Sequence, residues 1–407
     1  MKLIKPMMKE IMQVLYSFLK TKYYHARIVC INVSLIILYI SCQDSNIHRK
    51  NIFFLEKSNK QLIFPLDERT KNSPLALFAY KDKTGKEYLT FQNPIQNEIL
   101  FYDMNLTNLD FKVMPSYDGN NGVGPVSGYY VKNLDSIFLT IHGFNDIVLI
   151  DKNSVVKEKM EYYETNDNIP LLVTSSISSL YHPLLFFDNK IYIVPECNRW
   201  AESNWVCAYI DLIDKSVNAI PSFSYPSFPG QDNRKKRASA EDYLSRCFNG
   251  KQFVYSFYYD EDIYIAPLNH GQIKKIKVTS KYIDKVRIPD DYGNLTIEEL
   301  CENPNYGNLL YDEYRDVYYR IAYPKTMLEK GIRVLELLRY GRKNFSIIIL
   351  DKGFNIIGET LFPDYMYNSQ VMFIREDGLY ISCNHYLNPE YSDDVISFIR
   401  FNLVKNK

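Results

Sequence analysis

The chain has 407 residues, 48 Lys+Arg against 48 Asp+Glu, with 46% hydrophobic and 24% charged residues. At ~100–200 residues per domain this allows two or three domains or one large β architecture, and the balanced charge excludes nucleic-acid binding driven by a global basic field. The apolar content excludes a disordered chain, and the aromatic bias (35 Tyr and 23 Phe against 2 Trp) favours strands, because flat rings pack well on a pleated surface.

Near the amino terminus Met8, Ile11, Met12, Leu15 and Phe18 recur at helical spacing. The stretch reads as an over-extended start, with Met7, Met8 or Met12 the first residue, or as an amphipathic helix; in neither case does it belong to the fold. Residues 28–41, IVCINVSLIILYIS, carry no charge, with Lys20, Lys22, His25 and Arg27 before them and the polar run Gln43–Asn46 after. The run is shorter than the ~20 apolar residues of a membrane span. A basic flank, a short apolar segment and a small residue at the break describe a signal peptide. Ser41-Cys42 resembles the lipobox of bacterial lipoproteins, with Leu38 where that signal favours Leu and Tyr39 bulkier than usual. The resemblance implies that Cys42 receives a diacylglycerol, becomes the first residue on cleavage and, with two or three acyl chains, anchors stably in membrane lipid. The later cysteines, Cys197, Cys207, Cys247, Cys301 and Cys383, are odd in number and lack C-x-x-C spacing, so isolated buried thiols are expected rather than a disulfide framework.

Beyond a polar tether at 42–52, residues 53–67 (FFLEKSNKQLIFPLD) read as a strand pair that completes the last unit of a ring. From residue 75 onward one pattern recurs: strand, tight turn, strand, polar turn, then a third strand ending in Asp or Asn. The third strands are 98–105, 146–153, 208–215, 262–269, 346–353 and 397–404. Each follows a strand such as 87–94, 136–143, 190–196, 252–259, 316–324 or 378–385. Four antiparallel strands at roughly fifty-residue intervals are the signature of a β-propeller, in which each small sheet buries its faces against its neighbours. The expected fold is therefore all-β: a six-bladed β-propeller of four-stranded antiparallel blades over 53–407, with a signal segment at 1–41 and short inserted helices. A capping box at Thr296–Glu299 starts one helix, and Leu328, Ile332, Leu335 and Leu338 place a second over 325–340.

Chemical motifs are sparse. Gly119–Gly124 has glycines at phosphate-loop spacing, but Pro125 and a strand follow instead of a helix, so a turn between blades is expected. Trp200 and Trp205 flank one loop and are candidates for stacking on a sugar or peptide, or for packing a blade edge. The loop run Arg234–Arg237 reads as solvated. In the polar-aromatic stretch 311–320, Arg315 falls in a turn, and Arg320 shares a face with Tyr318, so that its cation can lie against a Tyr ring in an internal network or line the funnel. Cys383-Asn384-His385 is the only close Cys/His pair, and no metal site, nucleophile elbow or cofactor motif is present, so no metal, catalytic residue or cofactor is expected.

The lipobox at Cys42 together with GNNGVGP (119–125), LDSIFLT (134–140), YDEYRDVYYRIAYP (311–324) and SIIILDKGFNIIGET (346–360) resembles a lipoprotein family of Bacteroides-type bacteria, catalogued as a domain of unknown function and similar to six-bladed TolB-like propellers. It implies no catalytic residues. The expected function is a binding or scaffolding propeller in the cell envelope, lipid-anchored at the outer membrane through Cys42, with a glycan, peptide or protein partner and contacts among Trp200, Trp205, Arg315 and Arg320. The alternative is a propeller enzyme, a glycan lyase or hydrolase using the central funnel; converging Asp, Glu, His or Arg at the funnel mouth would favour it.

Overall fold

The computed structural model describes residues 52–74, 76–171, 179, 183–195, 205–224, 244–286 and 296–406. Strand β1 (Phe53–Pro65) comes first, followed by a four-stranded unit of β2 (Leu77–Lys81), β3 (Glu87–Asn93), β4 (Glu98–Asp103) and β5 (Asn108–Val113). The second unit is β6 (Val126–Asn133), β7 (Ser136–Ile141), β8 (Asp146–Ile150) and β9 (Val156–Glu161). The third is β10 (Leu185–Phe187), β11 (Lys190–Ile193), β12 (Ala208–Asp211) and β13 (Val217–Ala219), and the fourth is β14 (Leu244–Phe248), β15 (Gln252–Phe257), β16 (Asp262–Pro267) and β17 (Lys274–Lys277). Each is an antiparallel sheet in sequence order. The remaining strands are β18 (Asn305–Asp312), β19 (Val317–Tyr323), β20 (Phe345–Leu350), β21 (Ile356–Phe362), β22 (Asn368–Arg375), β23 (Gly378–Ser382) and β24 (Val395–Lys405). They form one eight-stranded sheet with β1, in the order β18-β19-β20-β21-β1-β24-β23-β22.

Strand β1 is the joint of that sheet. It pairs antiparallel with β24 from Phe53↔Lys405 to Pro65↔Val395, and meets β21 in parallel at Phe53↔Gly358 alone. A Cβ at Gly358 would overlap the Phe53 carbonyl oxygen, so the approach requires glycine. Strand β1 therefore packs beside 378–404, as the sequence suggested. It does so as a single strand with a bulge between Lys57 and Gln61, not as a strand pair.

Apolar clusters lie between successive four-strand groups and return to the start. One joins the first and second units through Phe101 and Leu139, and the next joins the second and third through Ile147 and Ile193. Others join the third and fourth units through Tyr192 and Phe253, and the fourth unit and β18–β21 through Val254 and Ile348. Within the large sheet Ile347 packs with Ile381, and Phe373 on β22 packs back onto Leu89 of the first unit. The arrangement is propeller-like: each sheet buries both faces against neighbours. Cys207, Cys247, Cys301 and Cys383 are free and buried, as isolated thiols.

Two short helices interrupt the strands. Helix α1 (Ile297–Glu302) carries the expected capping box, with Thr296 Oγ1 accepting from the Glu299 amide and the Glu299 carboxylate accepting from the Thr296 amide. Helix α2 covers only Val334–Tyr340, not 325–340. Gly331, at φ +92°, breaks the earlier turn, and the buried side chains are Leu337 and Tyr340, while Leu335 is 65% exposed.

Antiparallel alternation sorts the connections between two ends. The turns after the first and third strand of every group lie at one end, and none exceeds six residues. Connections after the second and fourth strands lie at the other, including the segment 324–344 that holds α2. These are referred to below as the short-turn end and the loop end.

Candidate functional site

At the short-turn end the third strands run into an acid or amide that organises the turn. Asp103 Oδ1 accepts from the Asn105 and Leu106 amides, Asp151 Oδ1 from Asn153 and Val155, Asp211 Oδ1 from Ile213, Asn269 Oδ1 from Gly271, and Asp351 Oδ1 from Gly353 and Asn355. These are Asx turns, and they are the physical reason for the Asp or Asn that recurs at the third-strand ends. Thr107, Ser154, Lys215, His270 and Phe354 then take the left-handed conformation in the same turns.

At the same end, among the turns after the first strands, lies a cavity of about 450 Å³, lined by Phe248, Asn249, Gly250, Tyr311, Glu313, Tyr314 and Ile374. Its walls come from the β14–β15 turn, the β18–β19 turn and the end of β22, which are first-strand ends of three consecutive groups. Each wall is fixed. Asn249 Oδ1 accepts from the Lys251 and Gln252 amides, and its Nδ2 donates to the Tyr318 hydroxyl at 2.7 Å. The Tyr311 hydroxyl donates to Asp316 Oδ1 at 3.1 Å. The fully buried Asp312 side chain organises the β18–β19 turn: Oδ1 accepts from the Tyr314 and Arg315 amides, and Oδ2 from Arg315 Nη1 at 2.7 Å and the Tyr319 hydroxyl at 3.1 Å.

Arg315 does not line the cavity. Its guanidinium crosses to the β22–β23 turn, where Nη2 donates to the Glu376 carbonyl at 2.7 Å and both Nη1 and Nη2 to the Arg375 carbonyl. It thereby holds the turn that presents Glu313 and Tyr314. Arg375 in turn donates Nε to Glu87 at 2.9 Å. Loss of water contact, followed by the fields of Glu313, Glu87, Glu376 and Asp312, pushes the Tyr314 phenol up. Among the described residues Glu313 has no ion-pair partner, and the cavity holds no second carboxylate, histidine or arginine.

Arg320 is fully buried and points the other way, toward the fourth unit. It donates to Ser256 Oγ at 2.9 Å and to the carbonyls of Asp260, Glu261 and Val278 at 2.6, 3.1 and 2.6 Å. Its guanidinium stacks 3.5 Å over the Tyr306 ring, not the Tyr318 ring that shares its strand face. Strand β18 bulges between Tyr306 and Leu309, and Tyr306 comes into the interface beside it. Burial lowers the Arg320 pKa to about 10, so it remains a cation at neutral pH. Trp205 is half-buried, bridges to Ser224 and packs on the cluster between the second and third units; it lies at the loop end, away from the cavity. Trp200, Cys42 and the run Arg234–Arg237 lie outside the described residues.

The sequence reading singled out the stretch containing Tyr311, Glu313 and Tyr314 but not Phe248, Asn249 or Ile374, which come from distant turns. It also missed Asn308, a buried carboxamide on innermost strand β18 with neither polar atom paired. Buried His270 and His385 serve the structure. His270 accepts from the Tyr255 hydroxyl at 2.7 Å and donates Nδ1–H to the Leu268 carbonyl; His385 accepts from the Leu387 amide and donates to the Gly341 carbonyl. Loss of solvation lowers both to about 4. Among the described residues no group of three or more His, Cys, Asp or Glu could hold a metal, and no helix is long and apolar enough to cross a membrane.

A family model described as a domain of unknown function, DUF4221, matches residues 51–361. The crystal structure of a DUF4221 family member from Bacteroides vulgatus superposes with a TM-score of 0.76 at 25% identity, covering 88% of this chain and 100% of that one. A putative exported protein from Bacteroides fragilis shares the fold at a TM-score of 0.52 and 9% identity, covering 86% of this chain and 96% of that one. No curated protein matches the sequence. With its model spanning most of the chain and the architecture shared over the full length of a member's structure, this protein belongs to the DUF4221 family.

Proposed function

We propose that the chain is an extracytoplasmic binding module: a six-bladed propeller, anchored in the outer membrane through acylated Cys42, that takes its ligand in the cavity of the short-turn end. The blade count rests on the eight-stranded sheet dividing at the single parallel pair Phe53↔Gly358 into two antiparallel four-strand runs. The anchor rests on the apolar segment 28–41 ending at Ser41-Cys42. The observation that carries the binding role is the cavity itself, with its three aromatic rings held on turns that are hydrogen-bonded in place. Rigid turns presenting aromatic and polar groups suit recognition. A single lining carboxylate does not make the acid–base pair that glycan hydrolysis uses, and this favours binding over the enzymatic alternative.

The test is a glycan, peptide and small-molecule array probed with the full chain, followed by Tyr314→Ala and by Trp200→Ala/Trp205→Ala. Loss of binding in the first variant alone supports the cavity. Loss in the tryptophan variant alone moves the site to the loop end. For the anchor, a fatty-acid probe should label wild type and not Cys42→Ala; equal labelling removes the tether from the reading.

A further inference from the structure

We infer that the cavity of the short-turn end takes an organic cation, a primary ammonium carried by a small polyamine or by a lysine side chain. The inference rests on the binding reading above and adds the chemistry of the ligand. Of the basic groups near the cavity, Lys251 follows Gly250 in the β14–β15 turn but is exposed and does not line it, and the two arginines are committed. Arg315 is bound to Asp312 and to the carbonyls of the β22–β23 turn, and Arg375 to Glu87. Their carboxylate partners are thereby neutralised. Glu313, on the cavity wall, and Glu376, on the turn that Arg315 grips, have no ion-pair partner among the described residues. With Glu313 the one charged side chain of the lining, and Glu313 and Glu376 outnumbering Lys251 on the surrounding turns, the site carries excess negative charge beside the rings of Phe248, Tyr311 and Tyr314.

That combination selects among ligand classes. An anion would meet Glu313 in a lining that has no basic side chain. A neutral sugar would stack on the rings but leave the carboxylate's charge unused. A cation satisfies both, since aromatic faces attract it through the ring quadrupole and the carboxylate supplies a charge-assisted hydrogen bond. The volume of about 450 Å³ admits an alkylammonium chain or a lysine side chain.

The second cavity shows the contrast. It lies at the loop end, with about 330 Å³ lined by Asp67, Glu68, Arg69, Gln96, Glu98 and Lys112. It has more acids, but Lys112 spans Asp67 at 2.9 Å and Glu98 at 3.1 Å, so two of them are satisfied from within, and it has no aromatic wall. It carries no comparable preference.

The experiment titrates the full chain with spermidine, with trilysine and with neutral chitotriose, by calorimetry, in wild type, Glu313→Gln, Tyr314→Ala and the loop-end control Glu68→Gln. The expected result is that one or both cations bind, that affinity falls about tenfold or more in Glu313→Gln and severalfold in Tyr314→Ala, and that Glu68→Gln binds as wild type. Binding should also weaken as salt is raised. Spermidine alone identifies a free polyamine, and trilysine alone a basic peptide. Cation binding unaffected by Glu313→Gln overturns the inference. So does the absence of cation binding into the millimolar range. If chitotriose then binds and Tyr314→Ala abolishes it, the cavity stands as a binding site and only the cationic class falls; if no probe or array ligand depends on Tyr314, both fall.

Discussion

At the short-turn end, five third strands run into an Asp or Asn whose side chain receives the next amides, and each turn closes within six residues. At the loop end the connections range from the four residues after β3 to the segment 278–304 between β17 and β18, and helix α2, half-buried Trp205 and buried His385 all lie there. Two arginines show what the difference means for stability. Arg315 stitches neighbouring groups together at the short-turn end with a carboxylate to balance it, whereas Arg320 does so toward the loop end against carbonyls and a Tyr ring, with no carboxylate among its hydrogen-bond acceptors. The short-turn end is held by local turn chemistry repeated in sequence. The loop end depends on a few long-range polar clamps.

The largest effect expected from that contrast is at Arg320. Truncation to Ala takes the donor from the carbonyls of Asp260 and Val278 and from Ser256 Oγ, while the Glu261 carbonyl keeps the Val278 amide. At ~1–3 kcal/mol for each buried group left unsatisfied, and with the stacking on Tyr306 lost as well, Arg320→Ala should lose ~3 kcal/mol or more in urea denaturation. Arg315→Ala leaves buried Asp312 without its cation but still accepting from two turn amides and the Tyr319 hydroxyl, and should lose less, ~1–2 kcal/mol. Equal losses would break the comparison.

Acid should weaken both ends in one pH window. His270, in a short turn, and His385, in a loop-end connection, are held at about 4 in the fold against an ordinary ~6.5 unfolded. The unfolded chain therefore binds more protons between those values, and stability falls as pH drops from 6.5 toward 4. The loss is on the order of 2–3 kcal/mol per histidine by pH 4. Denaturation at pH 7 and pH 4.5 should show it, and His270→Gln and His385→Gln should each flatten the dependence. A pH-independent midpoint would contradict the buried neutral assignment.

Much of this fold is legible in the sequence because its determinants are local. Strand alternation and the terminal Asp or Asn located the second and third strands, and the apolar run at 53–67 located the closing strand. The misread elements have long-range causes. A Leu periodicity suggested helix through 325–340, but Gly331 turns left-handed and the face that packs is the one bearing Leu337 and Tyr340. The ring over Arg320 comes from Tyr306, across a bulge. The cavity draws Phe248, Tyr311 and Ile374 from turns far apart in the chain, and no spacing rule brings those together.

Two further substitutions probe the joint at β1 and the innermost strand β18. Gly358→Ala places a methyl on the Phe53 carbonyl, and should cost ~1–3 kcal/mol by prising β1 from β21; an unaffected midpoint would mean that the parallel contact does not hold the sheet together. Asn308→Leu removes a buried carboxamide with no protein partner, so stability should stay level or rise by ~1 kcal/mol. A clear loss would show that the amide holds ordered water or ligand.

The central claim is that recognition takes place at the short-turn end. The most direct measurement is hydrogen–deuterium exchange on the full chain with and without the best array ligand. The account predicts slowed exchange confined to 248–251 and 311–316, with 205–207 and 324–344 unchanged. Protection at 205–207 or 324–344, with the short turns unaffected, would contradict it.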